Sequence, residues 1–288
     1  MSRRLSGFDL ATLGYLGLVS FVVLAARPSR GWIYLAYHAA GAAAVLLLAW
    51  AYARHGGRFW RFLRTWYLAL AVPACYRELH WLIPQVHPFD DATYDRALAA
   101  FDRRCFGDVD AFFLSTLPPA WADFLHLCYW FYFASVPILG GVLYARGEWE
   151  RVHEVATVFA LCLYASYAGY LAVPAVGPHV FLDPRPGALD GWVLGGPLHQ
   201  AYLAAEWRMA DAFPSGHALV CLLVPVLAWR HHRKVFWWTV IPSLGCVWAT
   251  MALRYHYVAD VLAAAALAPA VLYLGGLLTK SRRDFVNT

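Results

Sequence analysis

Two short polar stretches in an otherwise apolar sequence carry residue types that can act on an anion such as phosphate. The first, DAFPSGHALV at 211–220, places Pro, Ser, Gly and His directly before an apolar run. The second, LRYHYVADVL at 253–262, places Arg, His and Asp at the start of another apolar run. The residue types and their spacing indicate one shared site, provided that the fold brings both stretches to the same side of the molecule.

In the second stretch, His256 and Asp260 are four residues apart at the predicted start of a helix. We expect them on one helix face, with Cβ atoms about 6 Å apart. A carboxylate at that distance can hold one imidazole nitrogen as N–H and leave the other as a nucleophile. Arg254 precedes the histidine by two residues and is a natural clamp for phosphate oxygens. The alternatives are a His–Asp pair that only fastens a helix end and an arginine at the membrane surface.

In the first stretch, Pro214 suits the start of a helix and Ser215 can cap it. The N–H groups of a first helical turn, together with the helix dipole, form an anion site. Gly216 lets a ligand approach the backbone, and His217 is placed to give a proton to a leaving oxygen. A plain capped helix with an interfacial histidine is the alternative.

Composition assigns the chain to the membrane proteins. Hydrophobic residues make up 61% of the 288 and charged residues only 14%, whereas soluble domains carry roughly 25% charged residues. Spanning the hydrocarbon takes about 20 mostly apolar residues. We therefore predict an all-α polytopic transmembrane helical bundle of about eight spans, at 9–26, 32–53, 63–84, 121–145, 152–174, 215–229, 235–253 and 256–279.

The predicted spans define two regions and one interfacial segment. Residues 1–60 form an N-terminal transmembrane hairpin, and residues 61–288 form the main membrane domain; a secretory signal in the first span is the alternative to the hairpin. Residues 88–118 alternate acids with apolar residues at helical spacing. We expect helices lying in the membrane interface there, acting as a lid or lipid gate or merely as a connector.

The distribution of basic residues predicts the orientation. With eight spans, Lys and Arg concentrate in the short loops on the side of the termini, which are expected to be cytoplasmic. Both polar stretches are then expected at the extracytoplasmic ends of their helices, and we expect a bacterial cell membrane. The net charge of +5 is explained by this topology, so we expect no nucleic-acid partner.

The two stretches resemble signatures of the type 2 phosphatidic acid phosphatase superfamily, namely K-x6-R-P, P-S-G-H and S-R-x5-H-x3-D. The second signature is complete at 214–217. The third retains His256 and Asp260, but Ala249 and Thr250 stand where Ser-Arg is expected. The resemblance implies a six-helix catalytic core like that of lipid phosphatases within the bundle.

The first signature is incomplete. Arg185 and Pro186 match it, and Pro178 stands at the lysine position. His179 and Arg208 are candidates for supplying the missing charge. The stretches ATMALRYHYVADVLA, VPAVGPHVFL and DRALAAFDRRCFG are similar to the inositol-phosphorylceramide synthase (inositolphosphotransferase) branch, and the resemblance covers roughly residues 75–275.

The resemblance implies a double displacement without metal or other cofactor. His256 attacks phosphorus with Asp260 as its orienting partner, which gives a phosphohistidine, and His217 protonates the departing alcohol. The partners are a membrane lipid donor and an alcohol or water acceptor. The residues expected to hold the phosphate oxygens are Ser215, Gly216, Arg254, Arg185 and His179.

Three further residues are candidates for an acceptor pocket. Arg77 and His80 are three apart in the predicted third span, and Arg208 lies in the long connection before the sixth. Charged residues inside membrane segments usually face protein or a wet cavity; an ion pair or an interfacial position beside Trp81 is the alternative. Our first hypothesis is a lipid phosphotransferase acting on an inositol-phosphate-like headgroup, the second a lipid or polyprenyl phosphate phosphatase, and the third a transporter or membrane scaffold.

Overall fold

A computed structural model describes residues 5–87, 93–182, 187–205 and 210–283, and every regular element within these ranges is helical. In its first half the helices are α1 (Gly7–Ala26), α2 (Gly31–His55), α3 (Gly57–Trp66), α4 (Leu68–Val86), α5 (Thr93–Phe106), α6 (Val109–Thr116) and α7 (Pro119–Ala145). They are followed by α8 (Trp149–Ala172), α9 (Pro178–Phe181), a 3₁₀ turn (Gly187–Asp190), α10 (Gly195–Ala205), α11 (Gly216–His231), α12 (Arg233–Ala252) and α13 (Val258–Arg283).

Within the described residues, six helices are long and apolar enough to cross a membrane: α1, α2, α7, α8, α12 and α13. The prediction of an all-α polytopic membrane protein is therefore confirmed. The 16 residues of α11 extend about 24 Å, less than the ~30 Å of a hydrocarbon core. The 19 residues of α4 include Arg77 and Glu78, which lower its apolar character. The number of eight spans stays a prediction.

Each of the eight predicted segments coincides with helical structure, and the interfacial segment is helical as expected. The predicted third segment is divided between α3 and α4 at Tyr67. The predicted interfacial segment contains α5 and α6. Gly107 separates these two helices with a left-handed φ of 77°, and its N–H donates to the carbonyl of Arg103 at 3.2 Å, a common helix ending.

The described residues fall into two compact units. The first lies within residues 1–88, 143–168 and 270–288, and the second within residues 89–142 and 169–269. Buried polar pairs join the helices of the first unit: Arg64 lies 2.5 Å from Asp9, and the His38 ring lies 2.5 Å from Glu78. The predicted division of the chain after residue 60 stays a prediction.

The second unit contains both polar stretches. Its apolar core joins α7, α11 and α12 through residues such as Tyr129, Cys221 and Cys246. The tyrosine rings of Tyr129 and Tyr255 stack at 4.3 Å, so this core extends directly to the turn that carries His256. All six cysteines are free, and all but Cys105 are buried, consistent with a packing role.

Candidate active site

A tight turn between α12 and α13 positions His256. α12 ends at Ala252 and α13 begins at Val258, so His256 precedes the helix. The prediction that His256 and Asp260 both lie on the start of one helix therefore holds for Asp260 but not for His256. The backbone N–H of His256 donates to the Thr250 carbonyl at 2.8 Å, and Arg254 adopts a left-handed φ of 65°, which reverses the chain within five residues.

The surroundings of the His256 ring determine which nitrogen carries its proton. Its Nδ1 lies 2.9 Å from the carbonyl oxygen of Ala212 and 3.3 Å from Oδ2 of Asp260. A backbone carbonyl only accepts hydrogen bonds, so Nδ1 must be the N–H, and in the neutral tautomer that this contact selects Nε2 has the lone pair. The ring also lines a cavity. This geometry is compatible with a nucleophilic role for Nε2 of His256.

Asp260 is fixed from two directions and joins the two polar stretches. Its Oδ2 accepts the N–H of Tyr257 at 2.8 Å, and its side chain is fully buried. Its backbone carbonyl accepts the N–H of Ser215 at 3.2 Å. The Pro-Ser-Gly-His stretch and the histidine turn are thus connected by a direct main-chain hydrogen bond, although 45 positions along the chain separate these two residues.

Ser215 caps α11 as predicted, since its Oγ accepts the N–H of Ala218 at 3.1 Å. His217 follows in the first turn of α11. The centroid of its ring lies 4.4 Å from that of Tyr129 and 4.1 Å from that of Tyr132. Its Nε2 is buried and has no hydrogen-bond partner within the described part of the chain. The ring centroids of His217 and His256 are 6.0 Å apart, which is close enough for both rings to act on one phosphate-sized group.

The cavity beside His256 has a volume of about 260 Å³. The turn 254–258 forms one wall, and α5 and α6 form another. Arg254 lies at this cavity, as expected for a phosphate clamp, but its guanidinium is engaged by Asp110 on α6. Nη2 lies 2.6 Å from Oδ2 of Asp110, and Nε contacts Oδ1.

Two acidic residues that sequence reasoning did not select hold the histidine turn from α5. Asp102 accepts the N–H groups of Val258 and Ala259 at 2.7 and 3.0 Å. It therefore supplies the acceptors for the first turn of α13, two residues after His256. Burial raises the pKa of Asp102, and the two backbone hydrogen bonds oppose that rise.

Asp95, two helical turns before Asp102, plays a similar part at a neighbouring loop. Its carboxylate accepts the N–H groups of Val176 and Gly177 at 2.9 and 2.8 Å and the Tyr257 hydroxyl at 3.0 Å. Burial raises the pKa of Asp95, against the lowering effect of these bonds. The spacing of seven residues was the sequence signal that could have indicated a shared, protein-facing side of α5.

The structure places the remaining candidate residues as follows. The His179 ring on α9 lies 5.8 Å from the Tyr202 ring and 5.7 Å from the Tyr255 ring, and His179 does not line the cavity. Arg77 and His80 belong to α4 in the first unit and do not line it either. Gly216 begins α11. The predicted site residues Arg185 and Arg208 lie outside the described residues.

The helical membrane fold and the two neighbouring imidazoles are compatible with a phosphatase-type membrane enzyme, the class that the family match supports. The family model of the PAP2 superfamily matches residues 96–274, and the chain belongs to this superfamily. Over 121 residues it is 31% identical to a PA-phosphatase-related family protein of Dictyostelium discoideum, an alignment that covers 41% of this chain and 22% of that protein. No solved structure matches the chain.

Proposed function

We propose that this protein is a lipid phosphotransferase that moves a phosphate-linked headgroup, resembling inositol phosphate, from a membrane lipid to an alcohol. The reaction proceeds through a phosphohistidine on His256. The observation that carries the proposal is the hydrogen bonding of Nδ1 to the Ala212 carbonyl and to Asp260, which leaves the Nε2 lone pair available. No metal or cofactor takes part in the proposed steps.

In the first half-reaction, Nε2 of His256 attacks phosphorus and the bond from phosphorus to the leaving oxygen breaks. His217 gives its proton to that oxygen, so an alcohol departs and the headgroup phosphate remains bound to nitrogen. In the second half-reaction, the hydroxyl oxygen of the acceptor attacks phosphorus, its proton passes to His217, and the N–P bond breaks. Arg254 and the first N–H groups of α11 are the proposed donors to the phosphate oxygens.

A phosphatase acting on a lipid or polyprenyl phosphate, with water as acceptor, is the second candidate. Membership of the PAP2 superfamily and the similarity to a PA-phosphatase-related protein favour it. The two candidates share every step except the identity of the acceptor. Similarity of the motifs to the inositol-phosphorylceramide synthase branch is what supports the transferase.

The site is proposed to open on the extracytoplasmic side, with both termini in the cytoplasm. The support is the concentration of Lys and Arg in the short loops on the side of the termini. His217 and His256 lie near the starts of helices that follow loops on the other side of the membrane from the termini. Lipid headgroups of the outer leaflet are therefore the proposed substrates.

The test is covalent labelling of full-length protein in detergent with a short-chain lipid that carries ³²P in its headgroup phosphate. We expect His256→Ala to abolish labelling and His217→Ala to slow it by about 10²–10⁴-fold, the usual contribution of a general acid. His55→Ala, at an exposed position in the first unit, is the matched control and should label like wild type. Labelled His256→Ala protein would refute the assignment.

The acceptor is determined in the same preparation by adding candidate alcohols such as inositol to the unlabelled reaction. A transferase forms a new phosphodiester whose yield rises with the alcohol concentration. Hydrolysis of a lipid phosphate monoester to inorganic phosphate at one constant rate, whatever alcohol is present, together with no phosphodiester product, would assign the phosphatase reaction instead.

A further inference from the structure

An acidic side chain occupies the part of Arg254 that a phosphate would use. The Nε and Nη2 donors lie on one edge of the guanidinium and together suit the two oxygens of a carboxylate or a phosphate. In this structure both donors contact the carboxylate of Asp110. A phosphate bound side-on to Arg254 must therefore displace Asp110 or share these donors with it.

The local structure on both sides favours the contact between Arg254 and Asp110. Arg254 is only 8% exposed, and its left-handed φ of 65° is a strained backbone conformation for a residue with a side chain. On the other side, Asp110 lies in the first turn of α6, where a negative charge is favoured. Asp108 caps that helix by accepting the Ala111 N–H at 2.9 Å, so the start of α6 has a capping contact besides the ion pair.

The charge of the cavity wall points in the same direction. Among the described residues that line the cavity, three are acidic and two are basic: Asp102, Asp108, Asp110, Arg103 and Arg254. Because Asp110 already neutralises Arg254, an entering phosphate meets a wall without excess positive charge. Repulsion from a carboxylate beside the cavity grows in proportion to the charge of the entering group.

We propose that Asp110 is a specificity-determining residue that competes with the substrate phosphate for Arg254 and thereby favours singly charged phosphodiesters over doubly charged phosphomonoesters. This inference rests on the proposed function and specifies its substrate class, because a headgroup transferase uses a phosphodiester donor and a lipid phosphate phosphatase uses a monoester. Asp110 is exposed over 27% of its side chain, so it can turn away from Arg254 when an anion enters.

The test compares anion binding by wild type, Asp110→Asn and the matched control Asp108→Asn, each as the full chain in detergent. Asp108 lines the same cavity, and asparagine also caps helices well, so the control removes a nearby charge without touching Arg254. The probes are inorganic phosphate, at a pH where it is mainly a dianion, and diethyl phosphate, a monoanion. Dissociation constants follow from the dependence of the thermal midpoint on probe concentration.

We expect Asp110→Asn to bind inorganic phosphate about tenfold more tightly than wild type and diethyl phosphate about threefold more tightly, because the logarithm of the gain scales with probe charge. Asp108→Asn should change either constant by less than about twofold, since exposed charges are screened. If Asp110→Asn has a low thermal midpoint without ligand, Asp110→Ser replaces it in the same comparison.

Weaker or unchanged phosphate binding by the Asp110 variants would overturn the inference and assign Asp110 the task of orienting Arg254. An equal gain in Asp108→Asn, or no binding of either probe by any variant, would also overturn it. These measurements need no turnover, so their failure is distinct from failure of the proposed function, which depends on labelling of His256.

Discussion

Asp102 offers a direct test of whether α5 positions the nucleophile. Replacement by alanine removes the acceptor for the N–H groups of Val258 and Ala259 and leaves both donors without that acceptor at a partly buried helix start. Leaving a buried donor without a partner costs about 1–3 kcal/mol. Some relaxation and water entry are expected, so we predict a loss of about 2–4 kcal/mol of stability for Asp102→Ala.

Asp102→Asn should lower stability less than Asp102→Ala. Burial raises the pKa of Asp102, which means that the fold disfavours its charge and gains mainly from its acceptor oxygens. Asparagine is neutral and retains one acceptor oxygen, so we expect about half the loss seen with alanine. Because the first turn of α13 lies two residues after His256, turnover should fall in the same order, alanine more than asparagine, mainly through kcat.

The pH dependence follows from the same shift. A carboxyl group whose folded pKa is raised contributes stability that is fully present below its unfolded pKa and is lost as pH rises through the folded pKa. Stability of the wild type should therefore decline above about pH 4, the ordinary pKa of aspartate. Asp102→Asn should lack the part of this decline that Asp102 causes. Thermal midpoints in detergent across pH, with turnover at one pH, provide the measurement. An alanine variant that matches wild type in both would refute the reasoning, because Asp102 would then hold nothing that the site needs.

Two further predictions concern the surroundings of the site. Gly177→Ala should lower the thermal midpoint and turnover, by an amount equivalent to about 1–3 kcal/mol, because Gly177 has a φ of 85° and its Cβ would lie 2.6 Å from the Tyr255 carbonyl; a variant as stable and active as wild type would contradict it. Cys105, the exposed free cysteine on α5, should react in intact cells with a membrane-impermeant maleimide if α5 lies on the extracytoplasmic side. Labelling only after the membrane is opened would reverse the proposed orientation.

Local pattern was sufficient for the long apolar helices and for the proximity of His256 to Asp260, but it did not predict α9 or α10. Apolar runs located every predicted segment, because about 20 apolar residues must be helical to cross a membrane. The pairing of His256 with Asp260 also followed from a spacing of four residues, although the helix begins only at Val258. The reason for that difference is that Asp260 accepts the N–H of Tyr257 and so caps the start of α13 after His256.

The acidic residues around the site were beyond the reach of local pattern. The partners Asp110 and Arg254 are separated by 144 positions, and Asp102 accepts from residues 156 and 157 positions away. A carboxylate on a short amphipathic helix is usually solvated, so its sequence context does not reveal which distant N–H groups it meets. The acids recurred at helical spacing, but only the fold identifies their partners.

These contacts separate the two roles that the sequence left open for the segment between the third and fourth predicted spans. α5 is held in place by five hydrogen bonds that the carboxylates of Asp95 and Asp102 accept. The donors are the loop at 176–177 and the residues that follow His256. If α5 swung away as a lid, it would release the first turn of α13 and displace His256, the proposed nucleophile. α6 follows a glycine with a left-handed φ and meets the site through Asp110, whose contact a phosphate can replace with one of its own. On the proposed mechanism, α6 can therefore move to admit substrate, whereas α5 must stay in place to hold the turn that carries His256.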